Sequence, residues 1–541
     1  MKIALKLPIV MICVMLSALT AGAQKPTVKW WFDTNDASYG QSAAGDIDHD
    51  GNLELVFGCY RNDSCVYALN AEDGSLLWKY NTHPAGFEGC NDVAPIIYDV
   101  DGDDSLEVIV PSSCNGMTFC FNGRNGAVKW QTPTYGSDSP PTIADIDNDG
   151  KPEILHGEFG GYVICINGED GSEAWNIPVD TSTTSARINT APTITDLDGD
   201  GKPDFVVASW KGDTNKVFGY RGYDHALLWS HPVRDWVYHG TAVADLDNDG
   251  KPELVIGDYS GKLFTLNGED GSVDWTYTAP TSYYIGDPAE IGDLDGDGSC
   301  EVVFSAWYQM IALRSDSTVF WEYDIPGYES AFRGAALADV DNDGLPDVVF
   351  GTSVGLVVAL KGTTGDTLWT IDLAALYGNA FEIDHAPIIA DFDNDGILDL
   401  FIQGGHGEYP AFENDYGRGY ALSIGAGTGP DWLMFQHDIH RQSSLCDFPL
   451  GIETKSSAAD NELKVYPNPA NSSVTISFSN VSGDECTLQL YNGSGKLIRT
   501  ITGNSGSEFR IDTGEMPAGI YMFTLQQKGA MSGRGKFVVT E

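Results

Sequence analysis

The chain has 541 residues, 42% of them hydrophobic and 13 of them tryptophan, and a formal net charge of −48. That apolar content excludes a disordered acidic chain. The charge excludes a surface that grips a phosphate backbone, so no nucleic-acid partner is expected.

At the start, Lys2 and Lys6 flank the beginning of an apolar run from Leu7 to Leu19, and Ala21-Gly22-Ala23 gives a small-x-small cleavage pattern before Gln24. Residues 1–23 therefore read as a signal peptide, too short and too early for a membrane span. Met11 and Ile12 are not the small residues that a lipoprotein cysteine at Cys13 would want. No later stretch approaches the ~20 apolar residues that cross a bilayer, so no transmembrane helix is expected after signal removal.

From residue 46 one unit repeats. Asp-x-Asp-x-Asp begins at Asp46, Asp99, Asp145, Asp196, Asp245, Asp293, Asp339 and Asp391, with separations of 53, 46, 51, 49, 48, 46 and 52 residues. A second pattern keeps step with it. It ends at Trp78, Trp130, Trp175 and Trp275, with weaker copies ending at Trp229, Trp321, Trp369 and Trp432. Each unit reads as four short strands. In the second these are 94–98, Glu107 to Val110, Met117 to Phe121 and, after a tight Asn-Gly turn, Val128 to Trp130. Four antiparallel strands per ~50 residues, eight times over, predict an all-β chain with an eight-bladed β-propeller over residues 24–446. An open solenoid is the alternative, but nothing resembles a capping repeat. Val28 to Phe32 reads as a fourth strand ahead of the first Asp loop. It should complete the last blade, with Trp432 to Arg441 packed on that seam.

The third loop shows the chemistry: Asp145, Asp147 and Asp149 at positions 1, 3 and 5, Gly150 at 6 and Glu153 at 9. On a curled backbone the alternating carboxylates point to one centre, position 7 offers a carbonyl, and glycine permits the turn. Calcium takes six to eight such oxygens. The same set recurs as Asp46, Asp48, Asp50 and Glu54; Asp99, Asp101, Asp103 and Glu107; Asp196, Asp198, Asp200 and Asp204; Asp245, Asp247, Asp249 and Glu253; Asp293, Asp295, Asp297 and Glu301; Asp339, Asp341, Asp343 and Asp347; and Asp391, Asp393, Asp395 and Asp399. Only the second loop lacks glycine at position 6, with Asp104 there. Asp-rich turns also close on their own hydrogen bonds. Four clustered carboxylates without a cation would still repel one another, so the expected cofactor is calcium. Eight such loops account for 32 of the 78 acidic residues, and eight calcium ions would bring −48 to −32.

Nine cysteines follow residue 23. Cys120 and Cys165 occupy equivalent repeat positions and read as small core residues. Cys59 with Cys65, and Cys90 with Cys114, are candidate pairs that sequence alone does not fix.

Residues 447–461 form a polar linker to a last module, 462–541, which reads as a small β-sandwich. It contains Leu463-Lys464-Val465-Tyr466-Pro467-Asn468-Pro469-Ala470, Gly495-Lys496-Leu497-Ile498 and Met516-Pro517-Ala518-Gly519-Ile520-Tyr521. These segments resemble the type A C-terminal sorting domain of the type IX secretion system. The resemblance implies Sec export, handling by the type IX machinery, and a product that is secreted or attached to the outer-membrane surface. The Asp loops resemble the FG-GAP or VCBS-type repeats of integrin α-like propellers, and the Trp strands resemble those of quinoprotein propellers. That resemblance implies the fold and calcium, and says little about activity. No adjacent cysteine pair and no Cys-x-x-Cys-His motif supports a quinone or haem enzyme.

Strand order puts the Asp loops on one face and the blade-to-blade connections on the other. Aligning the blades brings Tyr39, Asp92, Asp138, Asn189, Tyr238, His239, Asp287, Arg333, Asp384 and His385 to that second face's inner mouth. Trp210, Tyr283, Tyr284, Trp307 and Tyr308 lie in neighbouring loops, as does an insert from Gly404 to Arg418 with His406, Glu408, Tyr409 and Tyr416. Aromatics and acids around a shallow mouth suit a glycan or a protein ligand. Trp210, His239, Trp307, Arg333 and His385 are the candidate ligand-binding residues. The leading expectation is a non-catalytic binding protein. The alternative is a secreted carbohydrate-active enzyme such as a polysaccharide lyase, with His239, His385 and Arg333 as its trio.

Overall fold

The computed structural model describes residues 25–446, apart from 84–88, 92, 281–283, 328, 409–413, 426 and 428, and strand segments of the tail between 463 and 539. The expected signal peptide 1–23, the linker 447–461, Asp92, Tyr283 and Tyr409 lie outside the described residues. The chain divides into two compact units, Met1–Ile452 and Glu453–Glu541.

The first unit is an eight-bladed propeller: eight four-stranded antiparallel sheets in succession. Blade 1 runs Ser42–Gly45, Glu54–Gly58, Cys65–Asn70, Leu76–Asn81, from the axis outward. The second and third strands are buried along nearly their whole length, because neighbouring blades cover both faces. The outermost strand alternates between buried and exposed positions. Blade 8 consists of Ile388–Ala390, Leu398–His406 and Tyr416–Gly425, and its outer strand is Thr27–Thr34 from the other end of the chain. Trp30 pairs with Ala421 there. The innermost strands of blades 1 and 8 are also in contact, so the ring is closed as the sequence predicts.

Tryptophans join blade to blade. Trp30, Trp78, Trp130, Trp229 and Trp321 each donate the indole N–H to a carbonyl in the following blade: those of Ala71, Gly123, Gly168, Gly268 and Gly362, at 2.5 to 2.9 Å. Each ring also lies on a left-handed glycine. A Cβ on Gly74 would come within 2.5 Å of Trp30, and its φ of +73° already disfavours any other residue. Trp30 thus takes the blade 8 position that the sequence pattern gives to Trp432.

Trp432 belongs instead to a plug. Residues 429–445 run around the inside of the central channel and pair with one innermost strand after another. Gly429 accepts from Asp339 N, Trp432 exchanges two hydrogen bonds with Ile389, and Leu433 accepts from Ala44 N. The carbonyls of Ile439, His440, Gln442 and Ser443 then accept from the N–H groups of Ile143, Ile194, Val243 and Ile291. The fully buried Arg441 donates to the carbonyls of Pro141, Phe435 and Pro95 at 2.9, 2.5 and 3.3 Å. All eight blades are touched. The expected seam contact is therefore only where the plug begins. Open inner-strand edges demand acceptors, and the rest of the segment supplies them.

Cys90 pairs with Cys114, tying the connection before blade 2 to that blade's second hairpin. Cys59 and Cys65 are both free and buried, a correction to their candidate pairing. Cys446, at the end of the plug, is bonded instead to Cys300 beside the blade 6 Asp loop.

In the second unit, Leu463–Tyr466, Ser473–Phe478 and Phe509–Asp512 form one sheet. Leu497–Asn504, Glu485–Asn492, Gly519–Gln527 and Ala530–Val539 form another. Val474, Ile476 and Phe509 from the first sheet and Leu488, Leu490 and Phe523 from the second share one apolar cluster.

Candidate functional site

Each Asp loop is a compact turn closed from within. In the third, Gly150 N donates to Asp145 and Asp149 N to Asp147. Ile146 N donates at 3.0 Å to one oxygen of Glu153, which is buried. All eight position-9 acids accept this bond from the residue at position 2. Position 4 is left-handed in every loop, held by His49, Gly102, Asn148, Gly199, Asn248, Gly296, Asn342 and Asn394. The sequence reading passes over this second turn, although runs of Asn and Gly are its usual signal. Asp104 takes φ +66° where the other loops have glycine.

Carboxylates converge as a result. Oxygens of Asp46, Asp48 and Glu54 lie within 4.8 Å of one another, as do those of Asp99, Asp101 and Glu107, of Asp145, Asp147 and Glu153, and of Asp245, Asp247 and Glu253. Burial among other acids pushes Glu54 and Glu153 up to about 8, and Glu253 and Glu301 to about 7. Buried oxygens of Asp101, Asp145, Asp295, Glu301, Asp341, Asp393 and Asp399 lack a hydrogen-bond partner. Orphaned acceptors pointing into a carboxylate cage fit a hard, oxygen-seeking cation.

The eight loops are not equivalent. Lys129 reaches Asp101 and Glu107 at 2.5 and 2.9 Å, and Lys29 reaches Asp393 and Asp399 at 2.7 Å. Arg221 pairs with Asp198, Arg314 with Asp295, and Lys361 with both Asp341 and Asp343. Among the described ion pairs, no strand residue enters the loops that begin at Asp46, Asp145 and Asp245. Lys251, from position 7 of the last, stands 3.9 Å from Asp249.

At the opposite ends of the strands lies a cavity of about 420 Å³. Its walls are Tyr39, Tyr60, Arg61, Ser113, Cys114, Asp138, Phe159, Arg187, Tyr238 and Arg333. Every one lies either ahead of an innermost strand or between a second and a third strand, so the ring gathers them from six blades. Arg187 lies over the Phe159 ring at 3.8 Å and is 3.4 Å from Asp138. Burial raises Asp138 above the usual carboxylate range, while Arg187 and Arg333 pull it down. Below the mouth the plug residue Phe435 packs with Ala94 and Ala386.

Of the five candidate ligand-binding residues, Arg333 lines this cavity. Trp210 is buried edge-on against Trp236, Tyr238 and Tyr259. Trp307 is half-buried with φ +54°, its ring 3.9 Å from that of Tyr284. His239 and His385 are buried in the channel wall, the latter 2.8 Å from the Ser42 hydroxyl. Burial depresses both, His385 to about 3. Asn189 and Asp287 are buried too; Asp287 accepts from Ser305 N, and its burial beside Glu290 raises both carboxyls. The sequence reading missed Arg61, Arg187, Tyr60 and Phe159, which sit in the same two classes of connection as the residues it picked. The insert after Gly404 prolongs the second hairpin of blade 8 on this face, with His406 3.2 Å from Glu382.

FG-GAP-like repeats match residues 99–156, 196–256, 245–304 and 339–402, and a secretion system C-terminal sorting domain matches 464–540. No curated protein matches the chain. Among solved structures, the biofilm matrix protein Bap1 of V. cholerae aligns at 15% identity and a TM-score of 0.53, covering 76% of this chain and 92% of that one. A quinohemoprotein alcohol dehydrogenase of Pseudomonas putida aligns at 15% and 0.51, covering 75% and 77%. A europium-containing methanol dehydrogenase aligns at 14% and 0.52, covering 74% and 93%. At such identities the likeness is one of fold.

Proposed function

Given a chain that carries FG-GAP-like repeats and a type IX secretion sorting domain, we propose that it works outside the cell as a calcium-stapled propeller that captures a glycan or protein at its mouth without chemical turnover. Export begins with removal of the signal peptide 1–23. The two sheets of the tail are read as a sandwich that is recognised by the type IX machinery.

The observation that carries the binding reading is the 420 Å³ cavity opposite the Asp loops, walled by arginine and aromatic side chains from five blades. Its size lies in the ~300–1,000 Å³ range of small-ligand sites. The orphaned carboxylate oxygens support calcium on the other face. Asp, Glu and backbone carbonyls there would hold the ion, and the ion would neutralise them. The lyase reading is weaker. A general base works best with a pKa near the ambient pH and within reach of substrate, and His385 is buried and held near 3.

Three variants test the division of labour between faces. Asp147→Ala should lower the melting temperature and weaken calcium binding, while folded protein keeps its ligand affinity. Arg333→Ala and Tyr60→Ala should keep the melting temperature within a few degrees and lose ligand capture. Loss of capture in Asp147→Ala at native stability, with both mouth variants binding normally, reverses the assignment.

A further inference from the structure

Resting on that reading of the mouth, we infer that its ligand is an acidic saccharide, whose carboxylate or sulfate is held between Arg61, Arg187 and Arg333 and whose ring lies against Tyr39 and Tyr60. The chain has only 12 arginines against 78 acids, yet three of those arginines line one cavity, with Asp138 as the one carboxylate among its described lining residues and the buried Asp384 close enough to feel Arg333. Among the described lining residues, cations outnumber carboxylates three to one, in a chain whose net charge is −48. Low-dielectric walls focus the field of such groups on whatever enters.

The three guanidinium groups are set for recognition. Arg61 comes from the second hairpin of blade 1, Arg187 from the approach to blade 4 and Arg333 from the approach to blade 7. They meet only because the ring is closed. Each lies beside an aromatic ring: Arg61 at 4.8 Å from Tyr60, Arg187 at 3.8 Å from Phe159, Arg333 at 5.5 Å from Tyr238. A guanidinium on a ring face directs its in-plane N–H fork at planar or tetrahedral oxyanions. Arg187 is fixed further by two backbone hydrogen bonds with Trp210, at 2.8 and 2.9 Å. Asp138 acts as a positioning residue for Arg187.

Size and the remaining walls select a sugar among anions. A lone inorganic ion would leave most of a 420 Å³ cavity unfilled. Tyr39 and Tyr60 meet edge to face at 5.5 Å, giving ring surface and two hydroxyls for a saccharide's apolar face and its alcohols.

Calorimetric titration of the calcium-loaded protein tests this, with oligogalacturonate, dextran sulfate and neutral dextran as probes. One or both charged probes should bind, more weakly as salt rises, and dextran should not. The carboxylate and sulfate arms identify which acid is preferred. Arg187→Ala and Arg61→Ala should each cost at least tenfold in affinity at an unchanged melting temperature, and Arg187→Lys should recover little of it, since the fork is lost. Capture of dextran as strongly as of its sulfate, sensitive to Tyr60→Ala, sinks the acidic ligand and keeps the mouth. Binding of charged probes that survives both arginine variants also overturns it. Binding to none of the three overturns it, and a protein ligand captured at the same mouth would then keep the broader reading.

Discussion

Glu153 shows how little of a side chain decides a loop. One oxygen holds the backbone at Ile146, and burial among Asp145, Asp147 and Asp149 raises its proton affinity. Among the described ion pairs, the loops that begin at Asp46, Asp145 and Asp245 have this arrangement with no lysine or arginine reaching in from a strand, whereas Lys129 stands inside the second. A resident ammonium and a divalent ion compete for the same oxygens. Calcium titration should therefore resolve about three tight sites and a weaker set, and Lys129→Met should tighten one weak site by roughly tenfold, the effect of removing about 1.4 kcal/mol of competition. Eight identical sites that ignore Lys129→Met would refute the distinction. The converging carboxylates of each loop were legible in the sequence, because their spacing is local. The competing cations were not, since Lys129 and Lys29 reach the loops from strands 28 and 364 residues away from their Asp partners.

Strands and their docking points form the next scale. Repeat spacing revealed the blades and even the borrowed outer strand at Thr27–Thr34, because each blade must end in the same Trp-bearing edge. It misassigned Trp432, whose aromatic ring copies the pattern while its backbone pairs with Ile389 inside the channel. Nothing periodic marks residues 429–446, so the plug had no signature to find. Its anchoring can be tested. The Cys300–Cys446 bond spans 146 residues, and closing so long a loop restricts the unfolded chain strongly. Cys446→Ser should lower the melting temperature by several degrees and make residues around 440 cleavable under limited proteolysis. An unchanged melting temperature and cleavage pattern would mean that the plug is held by its hydrogen bonds alone.

Across the whole molecule, the same buried acids set a pH response. In metal-stripped protein Glu54 and Glu153 titrate near 8 in the fold, against about 4.5 when unfolded. The folded state then holds more protons than the unfolded chain between those values, so stability should fall as pH rises from about 4.5 to about 8. Calcium held by the same carboxylates would replace those protons, and the loaded protein should show a flat or rising profile over the same window. Melting temperatures at pH 5.5 and 8, with and without calcium, give the answer; two parallel profiles would mean that the carboxyls and the metal do not share sites.

The plug also imposes an order in time. A chain emerging N-terminus first brings out Thr27–Thr34 long before its partner Tyr416–Gly425, and the channel lining before the residues that fill it. Until 429–446 arrive, the backbone N–H groups of Ala44, Ile143, Ile194, Val243 and Ile291 have no acceptor from the plug. For nearly all of its emergence the ring is therefore an unfinished object with open inner edges, exposed to proteases and to pairing with another copy. Cys446 meets Cys300 where the end of the plug lies along blade 6. That bond is a latch at the far end of the plug, set by the last residues of the propeller to emerge.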